Sequence, residues 1–191
     1  MSGEEGSGLA TRAGLPDALR ALLRKYPRAK WESHPNFGRL TQFWLDRHRS
    51  FRRTLGQLRE VMAGHRSGMI SHSEMGAQVS RLAGGLFTAL DSHHRIEEHH
   101  YFPKLVEREP ALAEGIRLLD EDHAQMEHAL SDLARRANTM LAALADGPAT
   151  EEAADFEKAL AAFTRLLNRH LTDEEDLVVP VVLEHGSLIS G

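Results

Sequence analysis

The chain contains no cysteine in its 191 residues. Disulfides, thiolate metal sites and thiol nucleophiles are therefore excluded. No stretch approaches the roughly 18 consecutive apolar residues of a transmembrane helix, and the acidic start, residues 1–6, lacks the basic and apolar regions of a signal peptide. We therefore expect a cytoplasmic protein with no membrane partner.

Positive charge is not in excess either. The chain has 23 Lys and Arg against 28 Asp and Glu, which gives a net charge of −5. Proteins that bind nucleic acid concentrate positive charge, so no nucleic-acid partner is expected. With 41% hydrophobic residues, the chain is long enough to bury a real core as one domain.

The alternating pattern of β-strands is also lacking, because apolar residues recur at the three- and four-residue spacing of helices. The prediction is an all-α fold, an up-down-up-down four-helix bundle with a short extra N-terminal helix. The bundle helices are predicted at about 37–65, 71–107, 110–145 and 150–184, within a bundle domain that covers 37–186. Residues 1–36 are predicted as a flexible N-terminus, frayed to about residue 14, and a short helix.

One motif occurs twice. His93 to Glu98 reads HHRIEE and His170 to Glu175 reads HLTDEE, so both copies read HxxxEE, and a proline follows each at the same spacing. A histidine and a glutamate four residues apart lie on one face of a helix, where both can bind one metal ion. The proline spacing favours the pair His93 and Glu97 over the pair His94 and Glu98.

Every predicted bundle helix carries a histidine within its apolar stripe. The height of each histidine in the bundle follows from the number of residues between it and the nearest predicted turn, at a rise of about 1.5 Å per residue. These heights place the histidines at one level of the bundle. Glu127 joins this level four residues after His123, unless Met126 takes the core position instead. The predicted metal ligands are His48, His93, Glu97, His123, Glu127, His170 and Glu174.

Four histidines and three glutamates are too many for one tetrahedral zinc ion. They suit two ions with mixed nitrogen and oxygen ligands and bridging carboxylates, and iron is the first choice. We expect His94, Glu98 and Glu175 to flank the site and orient its ligands. Tyr101, one turn beyond Glu97, is a candidate to reach it.

This pattern resembles the hemerythrin family, the HHE cation-binding domain, over about residues 37–184. The similarity includes the hydrophobic residues and proline after each motif, at 101–103 and 178–180. The resemblance implies a bundle with a non-haem di-iron centre, in which Glu97 and Glu174 bridge and the four histidines are terminal ligands. One position departs: oxygen-carrying hemerythrins have a histidine where this chain has Glu127.

The predicted function is a di-iron protein that binds or reacts with O₂, peroxide or nitric oxide, in oxidative or nitrosative stress or in oxygen sensing. Catalytic turnover of the peroxidase or oxidase type is left open. The alternative is a protein that stores iron or carries oxygen without turnover. A sensory or interaction module is less favoured, because no second signalling domain is visible. The sequence does not predict the oligomeric state.

Overall fold

The computed structural model describes residues 8–186, and these residues form helices joined by short turns, with no strand among them. Three 3₁₀ turns, Asp17–Arg20, Arg28–Lys30 and Pro110–Leu112, and one π-helical turn, Glu97–Tyr101, connect the α-helices. The α-helices are α1 (Ala21–Lys25), α2 (Arg39–Arg66), α3 (His72–Ile96), α4 (Phe102–Arg108), α5 (Ala113–Ala143) and α6 (Thr150–His185).

The four long helices form an antiparallel bundle. Helix α2 packs against α3 and α6, and α5 packs against α3 and α6, so the ring order is α2, α3, α5, α6. The short α1 lies against α6. The predicted all-α bundle with a short extra helix is thus confirmed. Within residues 8–186, no helix has both the length and the apolar content that spanning a bilayer requires.

The long predicted helix at 71–107 is interrupted near its end. It begins at a capping box, in which Ser71 and Glu74 bind each other's backbone N–H groups. At Glu97–Tyr101 the helix widens into a π turn, and the N–H of Phe102 donates to the carbonyl of Glu97. Pro103 lacks an N–H and crowds the carbonyl four residues before it, which explains why regular α-helix fails here.

A polar layer lies between apolar clusters. The main cluster fills one end of the bundle and includes Phe51, Leu90, Met126 and Leu167. Two smaller clusters fill the other end, one around Leu119 and Leu177 and one around Trp44 and Val179. His48 of α2 and His123 of α5 separate these two sets along their helices, and His93 precedes the residues of the smaller clusters that follow α3. The apolar clusters therefore enclose the histidine layer on both sides.

The start of the described chain is not frayed. Residues 8–15, which we call the N-terminal strap, lie along the bundle with Leu9 and Leu15 buried in two different apolar clusters. The structure thus places residues 8–14, which we expected to be frayed, against the bundle, where Leu9 and Arg12 have partners. The first seven residues lie outside the described part of the chain, so that expectation is not assessed for them.

Close packing of α5 on α6 predicts opposite effects for two glycine substitutions. A Cβ at Gly115 would lie 2.7 Å from Leu177 Cδ2, whereas a Cβ at Gly84 of α3 would meet nothing within 4 Å. Gly115→Ala should lower the free energy of unfolding by about 1–3 kcal/mol through overpacking. Gly84→Ala, the matched control, should raise it by about 0.5–1 kcal/mol. Urea unfolding measures both, and equal changes would contradict the packing.

Candidate metal centre

Residues from four elements of the bundle meet in a first group of ligand atoms. His48 of α2, His93 of α3, Glu97 of the π turn and Glu174 of α6 bring one ligand atom each within 4.8 Å of one another. The Nε2 atoms of His48 and His93 are 3.0 Å apart, and His93 Nε2 lies 2.9 Å from Glu97 Oε1. This group, the first half-site, is almost fully buried.

A second group consists of three histidines. His94 of α3, His123 of α5 and His170 of α6 also bring ligand atoms within 4.8 Å of one another. The rings of His94 and His123 are stacked with centroids 3.9 Å apart, and the ring of His170 lies edge-on to both. We call this group the second half-site.

Two carboxylates lie between the half-sites. Glu97 turns Oε1 towards His93 and places Oε2 3.8 Å from His123 Nε2. Glu174 Oε2 lies 3.5 Å from His48 Nε2 and 3.5 Å from His170 Nε2. Each glutamate therefore faces histidines of both half-sites.

Outer carboxylates fix the orientation of three histidines. His48 Nδ1 lies 3.1 Å from Glu175, His123 Nδ1 lies 2.8 Å from Glu98, and His170 Nδ1 lies 3.4 Å from Asp122. A carboxylate beside Nδ1 holds the proton there, so that Nε2 presents its lone pair to the centre of the layer. This arrangement prepares an imidazole to bind a metal ion.

Arginines neutralise two of these outer carboxylates. Arg28 and Arg52 each donate to Glu175 over 2.7 Å. Arg12 of the N-terminal strap donates to both oxygens of Asp122 and, over 2.7 Å, to Asp173. Charge is thus compensated outwards from the layer, from imidazole to carboxylate to guanidinium.

The pKa values follow from burial and from these contacts. Burial, with the negative charge of Glu97, raises the pKa of the Glu174 carboxyl well above its ordinary value. Burial also acts to raise the pKa of Glu97, but the hydrogen bond and charge of His93, together with Glu174 and His48, outweigh burial and hold that pKa below its ordinary value. Burial and the charge of His170 lower the pKa of His123 to about 4. Neutral imidazoles and an ionised glutamate are the forms that bind metal ions.

The layer contains buried polar atoms that lack a hydrogen-bond partner among the described residues. Leaving such atoms unpaired costs free energy, and a cation that they could share removes that cost. They converge on the space between the half-sites, so the donor set fits bound metal ions. These atoms are Nε2 of His94, His123 and His170, Oε2 of Glu97, and both carboxylate oxygens of Glu174.

One predicted ligand lies outside the layer. Glu127 is exposed on α5, and Met126 occupies the core position beside it with 1% of its surface exposed. The structure therefore does not bring Glu127 together with the other predicted ligands, because the core stripe of α5 runs through His123 and Met126. Tyr101 packs among the apolar residues around Trp44 and makes no hydrogen bond to a layer residue within 8–186.

Sequence reasoning missed the roles of two residues. His94 was expected only to flank the site, yet its ring lies in the second half-site. Asp122 is absent from the predicted ligands, although it lies three residues after Leu119 and four before Met126, on a buried stripe. A carboxylate at a core position of a helix was the signal that could have identified it.

Two cavities approach the layer from outside. One, of about 310 Å³, lies between α3 and α5, and its walls include His94, His123 and, at its rim, Glu98, Asp120 and Glu127. The other, of about 340 Å³, is largely apolar and includes Trp44, whose Nε1 donates to Glu97 Oε1 over 2.8 Å. Small molecules can thus approach the layer through the first cavity.

An antiparallel four-helix bundle that encloses a layer of imidazoles and carboxylates defines a helical metal-binding protein. The family model of the hemerythrin HHE cation binding domain matches residues 39–182. The chain therefore belongs to the hemerythrin HHE family, as its motifs predicted, and the domain binds metal cations. No curated protein and no solved structure matches the chain.

The buried histidines predict that the metal-free protein loses stability in mild acid. Burial lowers the pKa values of four histidines: His48, His94, His123 and His170. Just below the ordinary pKa of 6.5, the folded chain therefore binds fewer protons than the unfolded chain. The free energy of unfolding should therefore fall as pH drops from 6.5, down to about 4 for His123. Glu174 contributes with the opposite sign, but it is one group against four.

Urea unfolding at pH 7.5, 6.0 and 5.0 with a chelator present measures this dependence. His94→Gln should flatten it, because the variant lacks one buried imidazole. His128→Gln is the control, since His128 is exposed on α5 and its Nδ1 lies beside the carbonyl oxygen of Ala124, one turn earlier on the same helix. Stability independent of pH across this range would show that the histidines are not buried as described.

Proposed function

We propose that this protein is a non-haem di-iron protein whose centre binds or reacts with O₂, peroxide or nitric oxide. In this proposal each half-site holds one ion, and the two carboxylates between the half-sites bridge the ions. His48 and His93 would hold the first ion, His94, His123 and His170 would hold the second, and Glu97 and Glu174 would serve both.

The position of the two glutamates is the observation that carries this proposal. Each faces histidines of both half-sites, and each retains buried oxygens without a hydrogen-bond partner among residues 8–186. A single ion would leave some of these ligand atoms unpaired. Two ions with bridging carboxylates use all of them.

The chemistry of the donors supports iron. Imidazole and carboxylate ligands in a mixed set suit iron, and the chain offers no thiolate. Bound iron would supply one-electron redox chemistry and a coordination position for a small ligand. The residues around it orient the ligands, hold Glu97 through Trp44, and exclude bulk water through the apolar clusters on both sides.

The surroundings of the layer support a small partner molecule. The cavity beside His94 and His123 leads from the surface to the second half-site, and the interior on both sides of the layer is filled with apolar side chains. Diatomic molecules and peroxide can use such a route. Storage of many iron ions has no support here, because the described layer provides ligands for two.

Iron content is the first test. Protein reconstituted with ferrous iron should hold about two ions per chain, and after oxidation it should absorb in the near ultraviolet as oxo-bridged iron does. A chelator should lower the melting temperature, because metal binding stabilises the folded state and the two glutamates repel each other without it. Protein that binds no iron, or only one zinc ion, would contradict the proposal.

Reactivity then separates turnover from carriage. Addition of O₂, peroxide or nitric oxide to the ferrous protein should change its visible spectrum. Repeated consumption of peroxide with a reductant would assign turnover, whereas a long-lived oxygen adduct would assign a carrier. A spectrum unchanged by all three molecules would contradict small-ligand binding at this centre.

Whether His94 or Glu127 completes the set of seven ligands gives a sharper prediction. His94→Ala should remove or strongly weaken one of the two ions, because His94 belongs to the second half-site. Glu127→Ala should leave both ions bound, because Glu127 lies at the rim of the cavity and not in the layer. Iron per chain after desalting measures both variants. Loss of iron in Glu127→Ala alone would restore Glu127 as the ligand.

A further inference from the structure

The N-terminal strap places one charged residue inside the protein. Leu9 is buried in the main apolar cluster and Leu15 in a second one, and between them the Arg12 side chain is only 5% exposed. The strap precedes residue 39, where the match to the family model begins. It therefore lies outside the region that the family model matches.

Arg12 joins two buried carboxylates of neighbouring helices. Its Nη1 donates to Asp122 Oδ1 over 2.7 Å, its Nη2 donates to Asp122 Oδ2, and its Nε donates to Asp173 Oδ2 over 2.7 Å. Both carboxylates are almost completely buried. Arg169 also pairs with Asp173 and donates to the strap carbonyl of Ala13 over 2.7 Å, which holds the strap in place.

Asp122 is the link between Arg12 and the metal centre. Its Oδ2 accepts a hydrogen bond from Arg12 Nη2 and also lies 3.4 Å from Nδ1 of His170. Because a guanidinium binds both carboxylate oxygens in one plane, Arg12 sets the position and tilt of the Asp122 carboxylate. That carboxylate in turn decides which nitrogen of His170 carries the proton.

We infer that Arg12 is a positioning residue for the second half-site, which makes the strap part of the metal centre. This inference rests on the proposed function. Arg12 acts through Asp122 on His170 and does not reach the first half-site. There, the carboxylate of Glu175 beside His48 is held by Arg28 and Arg52 instead.

Two other roles for Arg12 make different predictions. A residue that merely fastens the strap would change the stability of the metal-free and metal-bound protein alike, without altering metal affinity. A purely electrostatic role would weaken cation binding, so removal of the positive charge would tighten it. Of the three roles, only the positioning of His170 predicts that removal of Arg12 weakens the binding of one ion and leaves the other unchanged.

The experiment is a titration of the full-length metal-free protein with Co²⁺, followed by its visible absorption, on chains shown to be folded by circular dichroism. Wild type should bind two ions. Arg12→Met should weaken one of them by about 10–100-fold and leave the other unchanged, as loss of an outer partner of a ligand does. Arg12→Lys should retain part of the affinity for that ion, because lysine keeps the positive charge but cannot bind both carboxylate oxygens in one plane.

Arg24→Met is the matched control. Arg24 belongs to the same N-terminal region and is exposed, and the one hydrogen bond of its side chain within residues 8–186 goes to the backbone carbonyl of Asp17. Both ions should bind to this variant as in wild type. If Arg12→Met fails to fold, Asp122→Asn removes the same link with little change of shape and should also weaken one ion.

Three results would overturn the inference. Unchanged affinity for both ions in Arg12→Met or Asp122→Asn would reduce Arg12 to a fastening role. Tighter binding in Arg12→Met would assign an electrostatic role. A wild type that binds no Co²⁺ and no Fe²⁺ would remove the proposed function itself, and with it this inference.

Discussion

Two glutamate side chains, side by side in the middle of an apolar bundle, are the constraint on which the rest of the structure depends. Taking a carboxylate out of water costs several kcal/mol unless opposite charge or hydrogen bonds compensate it. Glu97 and Glu174 are almost fully buried, and each faces one histidine of each half-site. Burial, together with the negative charge of Glu97, accordingly raises the pKa of Glu174 well above its ordinary value.

Compensation of this cost extends outwards through successive charges. Outer carboxylates orient the histidines, and arginines then neutralise those carboxylates. The two sides of the bundle differ in how they do so. Glu175 has two partly exposed arginines, whereas Asp122 depends on Arg12, which is buried with it. The centre is therefore supported partly by residues that lie before the family domain.

The ring order of the helices explains why adjacent histidines serve different half-sites. Helix α3 lies between α2 and α5. Consecutive residues on a helix point about 100° apart. His93 therefore faces His48 of α2, while His94 stacks on His123 of α5. The periodicity of the sequence predicts one stripe facing the core for each helix. Such a stripe cannot account for α3, which presents His93 and His94 to two different neighbouring helices.

The sequence by itself determined the helical bundle, the polar layer and the repeated HxxxEE motif, because periodicity and spacing along one helix are local properties. It also gave the family. Only the tertiary structure decided between Met126 and Glu127 for the core, brought His94 and Asp122 to the site, and placed Arg12 beside them. These contacts join residues from different helices, and Arg12 lies 110 residues from Asp122 in the chain. No pattern within one segment contains that information, since helix rotation and the path of the strap are set by packing.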